Sequence, residues 1–154
     1  EGAAKVISDM EVYGLAPCVI TYTTLINGLC KAGDISAAFK VVRDMTARKP
    51  PVLPNIRTVN TLLRGCMLVG STSAAEALFL RAQQAWKLKP DASTYEYTLT
   101  LLCQALRLHR ASVLLDQLKE RIALQAKQLP DAAPDPAADA AKSAQVCVCM
   151  ARAA

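Results

Sequence analysis

Aromatic side chains make up only 5% of this 154-residue chain. A core without them has to be built from Leu, Val, Ala, Met and Cys, which suits helix packing and argues against an aromatic-rich β-sandwich. Histidine is scarcer still. The single one, His109, is followed by Arg110 and Ala111, so the H-x-E element of a zinc deaminase is missing. Cys-x2-Cys spacing is missing too, because the six cysteines stand at 18, 30, 66, 103, 147 and 149. The pair Cys147 and Cys149 offers too few ligands for tetrahedral zinc. Cys30, Cys66 and Cys103 lie among apolar helical positions and read as reduced core residues in a reducing compartment. Gly-rich phosphate loops and G-x-S-x-G elbows do not occur. Asp131, Asp135 and Asp139 fall in a Pro/Ala segment with no strand to fix them as a nuclease metal cluster. These absences leave no catalytic residue, metal or cofactor to nominate, and the chain reads as non-enzymatic.

Residues 12–30 carry no charge, a stretch of near-membrane length. Gly14 and Pro17 break its first half, and Thr21, Thr23, Thr24 and Asn27 would need partners in lipid, so it is not read as a span. The first residues resemble an amphipathic helix rather than a signal peptide, which places any targeting sequence upstream. The net charge of +5 is uneven: residues 1–129 hold 16 basic and 10 acidic side chains, whereas residues 130–154 are slightly acidic. The positive field sits on the periodic part and suits a polyanionic partner.

That periodic part repeats one apolar pattern four times, at Ala3/Val6/Ile7/Met10, Ala38/Val41/Val42/Met45, Ala75/Leu78/Phe79/Ala82 and Ala111/Leu114/Leu115/Leu118. Each set has the i, i+3, i+4, i+7 spacing of one helix stripe, and the sets recur about every 36 residues. Between them stand Tyr22/Leu25/Ile26/Leu29/Cys30, Val59/Leu62/Leu63/Cys66/Met67 and Tyr95/Thr98/Leu99/Leu102/Cys103, each a second helical stripe. The unit is therefore a helical hairpin. Gly33 and Gly70 are placed to end the first helices of two hairpins, and the third turn, Leu106-Arg107-Leu108-His109, has no glycine. Pro17, Pro54 and Pro90 separate the hairpins, with Asn55 and Asp91 well suited to cap the helices that follow.

A hairpin of this size cannot bury its apolar face alone, so the fold class is all-α: a solenoid of stacked helix-turn-helix repeats of either hand. The expected division is a half-repeat at 1–18, repeats at 19–55, 56–91 and 92–129, and an Ala/Pro/Asp-rich tail at 130–154. Alanine could rebuild a helix from about residue 137. The opening half-repeat leads us to expect further repeats upstream. Trp86 reads as packing at a repeat junction.

The run Val19-Ile20-Thr21-Tyr22-Thr23-Thr24-Leu25-Ile26-Asn27-Gly28-Leu29-Cys30-Lys31-Ala32-Gly33-Asp34, closing with Pro54-Asn55, resembles the pentatricopeptide repeat family. The likeness is close over 19–55, good over the half-repeat 1–18, moderate over 56–91 and weak over 92–129. The tetratricopeptide signature W-x2-L-G-x2-Y is absent. The resemblance implies a protein of mitochondrion or chloroplast that binds single-stranded RNA one base per repeat, through the fifth residue of each first helix and the last residue of the repeat. Carried over to this chain, those are Thr23 with Asn55 and Asn60 with Asp91, implying adenine then uracil, 5′ to 3′. The second residue of each repeat stacks on a base, which assigns Ile20 and Arg57 and leaves Ser93 unsuited. Lys31 matches the family's phosphate contact, where repeats two and three carry Leu68 and Gln104. In repeat three the reading position is the anionic Glu96. The alternative is a structural or adaptor subunit of an organellar ribonucleoprotein, such as a mitochondrial ribosome, in which ribosomal or other ribonucleoprotein components are the partners.

Overall fold

The computed structural model describes residues 2–128, which fold into seven helices: α1 (Gly2–Val12), α2 (Val19–Lys31), α3 (Ile35–Ala47), α4 (Ile56–Val69), α5 (Thr72–Gln84), α6 (Ala92–Gln104) and α7 (Leu108–Gln128). The tail expected at 130–154, with Cys147, Cys149 and its three aspartates, lies outside the described residues. None of the described helices is long and apolar enough to cross a membrane.

The expected hairpins are α2/α3, α4/α5 and α6/α7. Their first helices α2, α4 and α6 pack directly on one another, and each of α3 and α5 sits behind them, against its own partner and the first helix of the next hairpin. The apolar stripes explain the layering. Val59, Leu62, Leu63 and Cys66 of α4 are fully buried, as are Ile26 of α2 and Ala38 and Met45 of α3. Each large aliphatic side chain sealed in this way contributes roughly 1.5–3 kcal/mol. One core spans α2 to α5 and takes in Leu101, while a second joins Phe79, Tyr95, Leu99, Leu102, Cys103, Ala111 and Leu114. Cys30, Cys66 and Cys103 are buried. Burial and the neighbouring Cys30 push the Cys66 thiol up to about 11, so it behaves as an apolar residue. Trp86 stands just past α5, half-buried against the first core, with the Arg81 guanidinium 5.5 Å from its ring centre.

Caps define the helix starts. Asn55 accepts the Thr58 N–H at 2.9 Å, Asp91 accepts the Thr94 N–H at 2.8 Å, and Asp34 accepts the Ala37 N–H at 2.9 Å. Each satisfies an amide that has no partner within its helix. Two tyrosine hydroxyls at equivalent places are met from the partner helix or its end: Arg48 donates to Tyr22 at 2.8 Å and Arg121 to Tyr95 at 3.4 Å. Repeat two has Val59 and Ala85 at those positions.

The turn without glycine keeps the glycine's geometry. Gly33, Gly70 and Leu106 all have positive φ, at 79°, 71° and 54°. Their N–H groups donate to the carbonyls of Cys30, Met67 and Cys103, and the following N–H returns to Leu29, Cys66 and Leu102. Capping the last turn demands this left-handed residue whatever its side chain, and a leucine there costs roughly 1–2 kcal/mol. Leu106 is 66% exposed and contributes little packing to offset it. Leu106→Gly is expected to raise stability by about 1 kcal/mol in urea unfolding, and a loss would show that the leucine is held by contacts. His109, placed in that turn from sequence, lies instead in the first turn of α7.

Candidate nucleic-acid interface

Opposite their buried stripes, the first helices present a largely polar face, with Ile20 and Leu68 as its exposed apolar members. Ile20, Thr24, Asn27 and Lys31 follow i, i+4, i+7, i+11 spacing on α2, and Arg57, Thr61, Arg64 and Leu68 repeat it on α4. On α6 the row is Ser93, Tyr97, Thr100 and Gln104. Lys31, Arg57 and Arg64 give this face three cations, and these rows hold no acid. Ile20 is 76% exposed, an isolated apolar side chain that no core residue covers. Arg57 and Lys31 are exposed at the start of α4 and the end of α2.

The sequence pairs Asn60 with Asp91 across 31 residues, and the fold brings them into contact. The Asn60 amide Nδ2 donates to both carboxylate oxygens of Asp91 at 3.0 Å. The hydroxyl of Thr94 lies 2.7 Å from Asn60 Oδ1 and 2.9 Å from Asp91 Oδ1, and its one proton serves these two acceptors in turn. Asp91 N–H donates to that hydroxyl at 3.2 Å, closing a capping box. An ionised carboxylate only accepts, so the amide must turn its NH2 toward Asp91 and its oxygen toward Thr94. Partial burial alone would raise the Asp91 pKa, but hydrogen bonds from the Thr94 backbone, Asn60 and the Thr94 hydroxyl outweigh it and hold the carboxyl below its usual range. Asp91 is therefore a fixed anion at neutral pH. Its Oδ1 accepts from the Thr94 backbone and hydroxyl as well as from Asn60, while Oδ2 accepts from Asn60.

In repeat one the pair is bridged rather than joined. Thr23 gives its proton to the Val19 carbonyl at 2.7 Å, and its oxygen lies 2.8 Å from the Thr58 hydroxyl. Thr58 reaches Asn55 Oδ1 at 3.0 Å. Because the cap occupies Asn55 Oδ1, its NH2 is left as a pair of donors at the repeat edge. Thr58 and Thr94 are both fully buried and occupy the third place of their helices. The half-repeat before repeat one ends on Cys18, where the cap is weaker: its thiol lies 3.6 Å from the Thr21 hydroxyl and forms no side-chain cap on α2.

Sequence reasoning missed three residues of this site. Thr58 and Thr94 look like packing from their spacing, although Thr21, Thr58 and Thr94 recur at the same repeat position. Arg64 donates to Asn27 Oδ1 at 2.7 Å, which ties α4 to α2 and keeps a cation one helical turn beyond Asn60. In repeat three the reading position holds the exposed Glu96, and Ser93 is half-buried.

A model of the PPR (pentatricopeptide) repeat family matches residues 17–68. A chloroplastic pentatricopeptide repeat-containing protein of Arabidopsis thaliana is 29% identical over 137 residues, 88% of this chain and 17% of that protein. A second from Arabidopsis thaliana is 34% identical over 121 residues, 77% of this chain and 16% of its own length. Among solved structures, the pentatricopeptide repeat protein PPR10 from maize superposes with a TM-score of 0.64 at 29% identity, over 77% of this chain and 17% of that one. PPR10 in complex with an 18-nt psaJ RNA element gives the same TM-score at 28% identity, over 79% and 18% of the two chains. The chain thus spans less than a fifth of each of these proteins. Its repeat pattern, its stacked hairpins and these likenesses together place the chain in the pentatricopeptide repeat family.

Proposed function

We propose that this chain binds single-stranded RNA along the face of α2, α4 and α6, reading adenine with Thr23 and Asn55 and then uracil with Asn60 and Asp91, 5′ to 3′. The observation that carries the reading is the fixed orientation of the Asn60 amide against the Asp91 carboxylate. Uracil presents N3–H between two carbonyl oxygens. Asp91 Oδ2 accepts that N–H, and the second Asn60 amide proton serves a carbonyl. Cytosine brings an unprotonated N3 to the same carboxylate and is repelled. In repeat one the Asn55 NH2 matches the adenine N1 acceptor, and the Thr23 oxygen accepts from its exocyclic amine. Ile20 and the Arg57 guanidinium stack on base faces, while Lys31, with Arg64, neutralises phosphate.

Support comes also from PPR10, a family member solved with RNA, and from the chloroplastic relative, which fits an organellar setting in chloroplast or mitochondrion. The chain acts by binding, without catalysis, cofactor or metal, in RNA metabolism or translation. Its repeats run over 1–129, ahead of a linker-like tail. Glu96 favours a second reading, in which eroded repeats serve as a structural or adaptor part of an organellar ribonucleoprotein, because the fifth residue of repeat three is an exposed carboxylate that brings no donor to a base.

Fluorescence anisotropy on oligomers carrying A-U or G-C in register separates the two. The A-U strand is expected to bind more tightly, and Asn60→Ala to relax the choice at one position by about 1–3 kcal/mol. Equal weakening on every strand, or salt-sensitive binding indifferent to sequence, would favour the scaffold.

A further inference from the structure

We propose that Thr94, the third residue of repeat three, is a positioning residue that sets the base accepted by repeat two. The third repeat thereby completes its neighbour's reader even though its own reading position carries Glu96. The inference rests on the RNA reading above and concerns how that reading is enforced.

The Asn60 amide is held at both ends, its nitrogen by Asp91 and its oxygen by the Thr94 hydroxyl at 2.7 Å. Thr94 has no exposed surface, so water does not reach the inner side of this contact. Replacing its hydroxyl by a methyl would leave Asn60 Oδ1 facing an apolar group, a loss the amide escapes by rotating toward solvent. That rotation takes Nδ2 off Asp91 and removes the donor that faces the uracil carbonyl. Thr94 touches no base in this scheme, since it lies behind the pair and acts only through it. The same device recurs one repeat earlier, where the fully buried Thr58 bridges Thr23 and Asn55 at 2.8 and 3.0 Å. Each reader is thus assembled from two consecutive repeats.

The test compares wild type with Thr94→Val, which keeps the shape, and Thr94→Ser, which keeps the hydroxyl. Binding of four oligomers differing only at the repeat-two base is read by anisotropy, with thermal unfolding of each protein alongside. Thr94→Val should reduce the preference for uracil over cytosine by about tenfold, and Thr94→Ser should restore it. Lost capping alone would lower the unfolding temperature and weaken all four oligomers alike, which would overturn the proposal. Thr58→Val provides a second, independent arm if Thr94→Val does not fold: it should relax the choice at the repeat-one base and leave the repeat-two base unaffected. Its failure to do so would equally overturn the idea. A wild type without base preference would sink the RNA reading and this inference together. A wild type that discriminates alongside a Thr94→Val that discriminates equally would sink this inference alone.

Discussion

Leu62→Ala is expected to cost about 2–5 kcal/mol of folding stability. Leu62 has no exposed surface and lies on α4, the helix that packs against α2, α3, α5 and α6. Truncation there removes about three methylene equivalents of burial and opens a cavity that four surrounding helices cannot all close on. In a solenoid, stability is a sum of repeat terms and nearest-neighbour interfaces, and α4 takes part in the interfaces on both sides. Chemical unfolding followed by circular dichroism measures the loss, and the melting temperature should fall by roughly 2–4 °C for each kcal/mol. A cost below about 1 kcal/mol would mean that α4 is not the central strut its packing makes it.

Gly65→Ala is the second large effect, and its sign is the informative part. Glycine inside a helix is worth about 1 kcal/mol less than alanine, so helix propensity alone predicts that the substitution stabilises. Geometry predicts the reverse. A Cβ on Gly65 would meet Cys30 Sγ at 2.5 Å, Cys30 Cβ at 2.8 Å and Ile35 Cδ1 at 2.9 Å, all atoms of the preceding hairpin. Forcing a methyl into that contact is expected to cost about 1–3 kcal/mol net, and Gly65→Val more. Gly28, on the exposed side of α2 with nothing within 4 Å of the same construction, supplies the matched control. There alanine should stabilise by roughly 0.5–1 kcal/mol. Parallel melts of the two variants decide the point, and stabilisation at both sites would refute the close approach of α4 to the first hairpin.

The contrast between those glycines marks where sequence reading stops. Period, hairpins and layer order follow from apolar spacing, because a stripe such as Val59, Leu62, Leu63 and Cys66 reports which face of its own helix is buried. The caps Asn55 and Asp91 are legible for a similar reason, since they act within three residues of themselves. Gly65 is different: what excludes a side chain there is Cys30, 35 residues away, and nothing local records it. The left-handed turn at Leu106 escaped notice because glycine is the usual marker of that geometry, whereas the requirement comes from backbone carbonyls at the end of α6. The proposed readers were named through the family resemblance. Their supports Thr58 and Thr94 were not, because a threonine on an apolar stripe looks like filler until its hydroxyl partner is located in the preceding repeat.

The recurrence of threonine at positions 21, 58 and 94 bears on how such a chain can be recombined. A splice between α5 and α6 cuts through the Asn60, Asp91 and Thr94 cluster, so a graft at that seam would ordinarily damage both donor and recipient. With the same residue on the far side of every junction, the incoming unit supplies the hydroxyl that the outgoing unit removed. The Tyr22–Arg48 and Tyr95–Arg121 bonds, by contrast, stay within single hairpins and travel intact with them. One half of each joint is thus held constant as a threonine, while the residue it meets, Asn55 or Asp91, is free to differ from unit to unit.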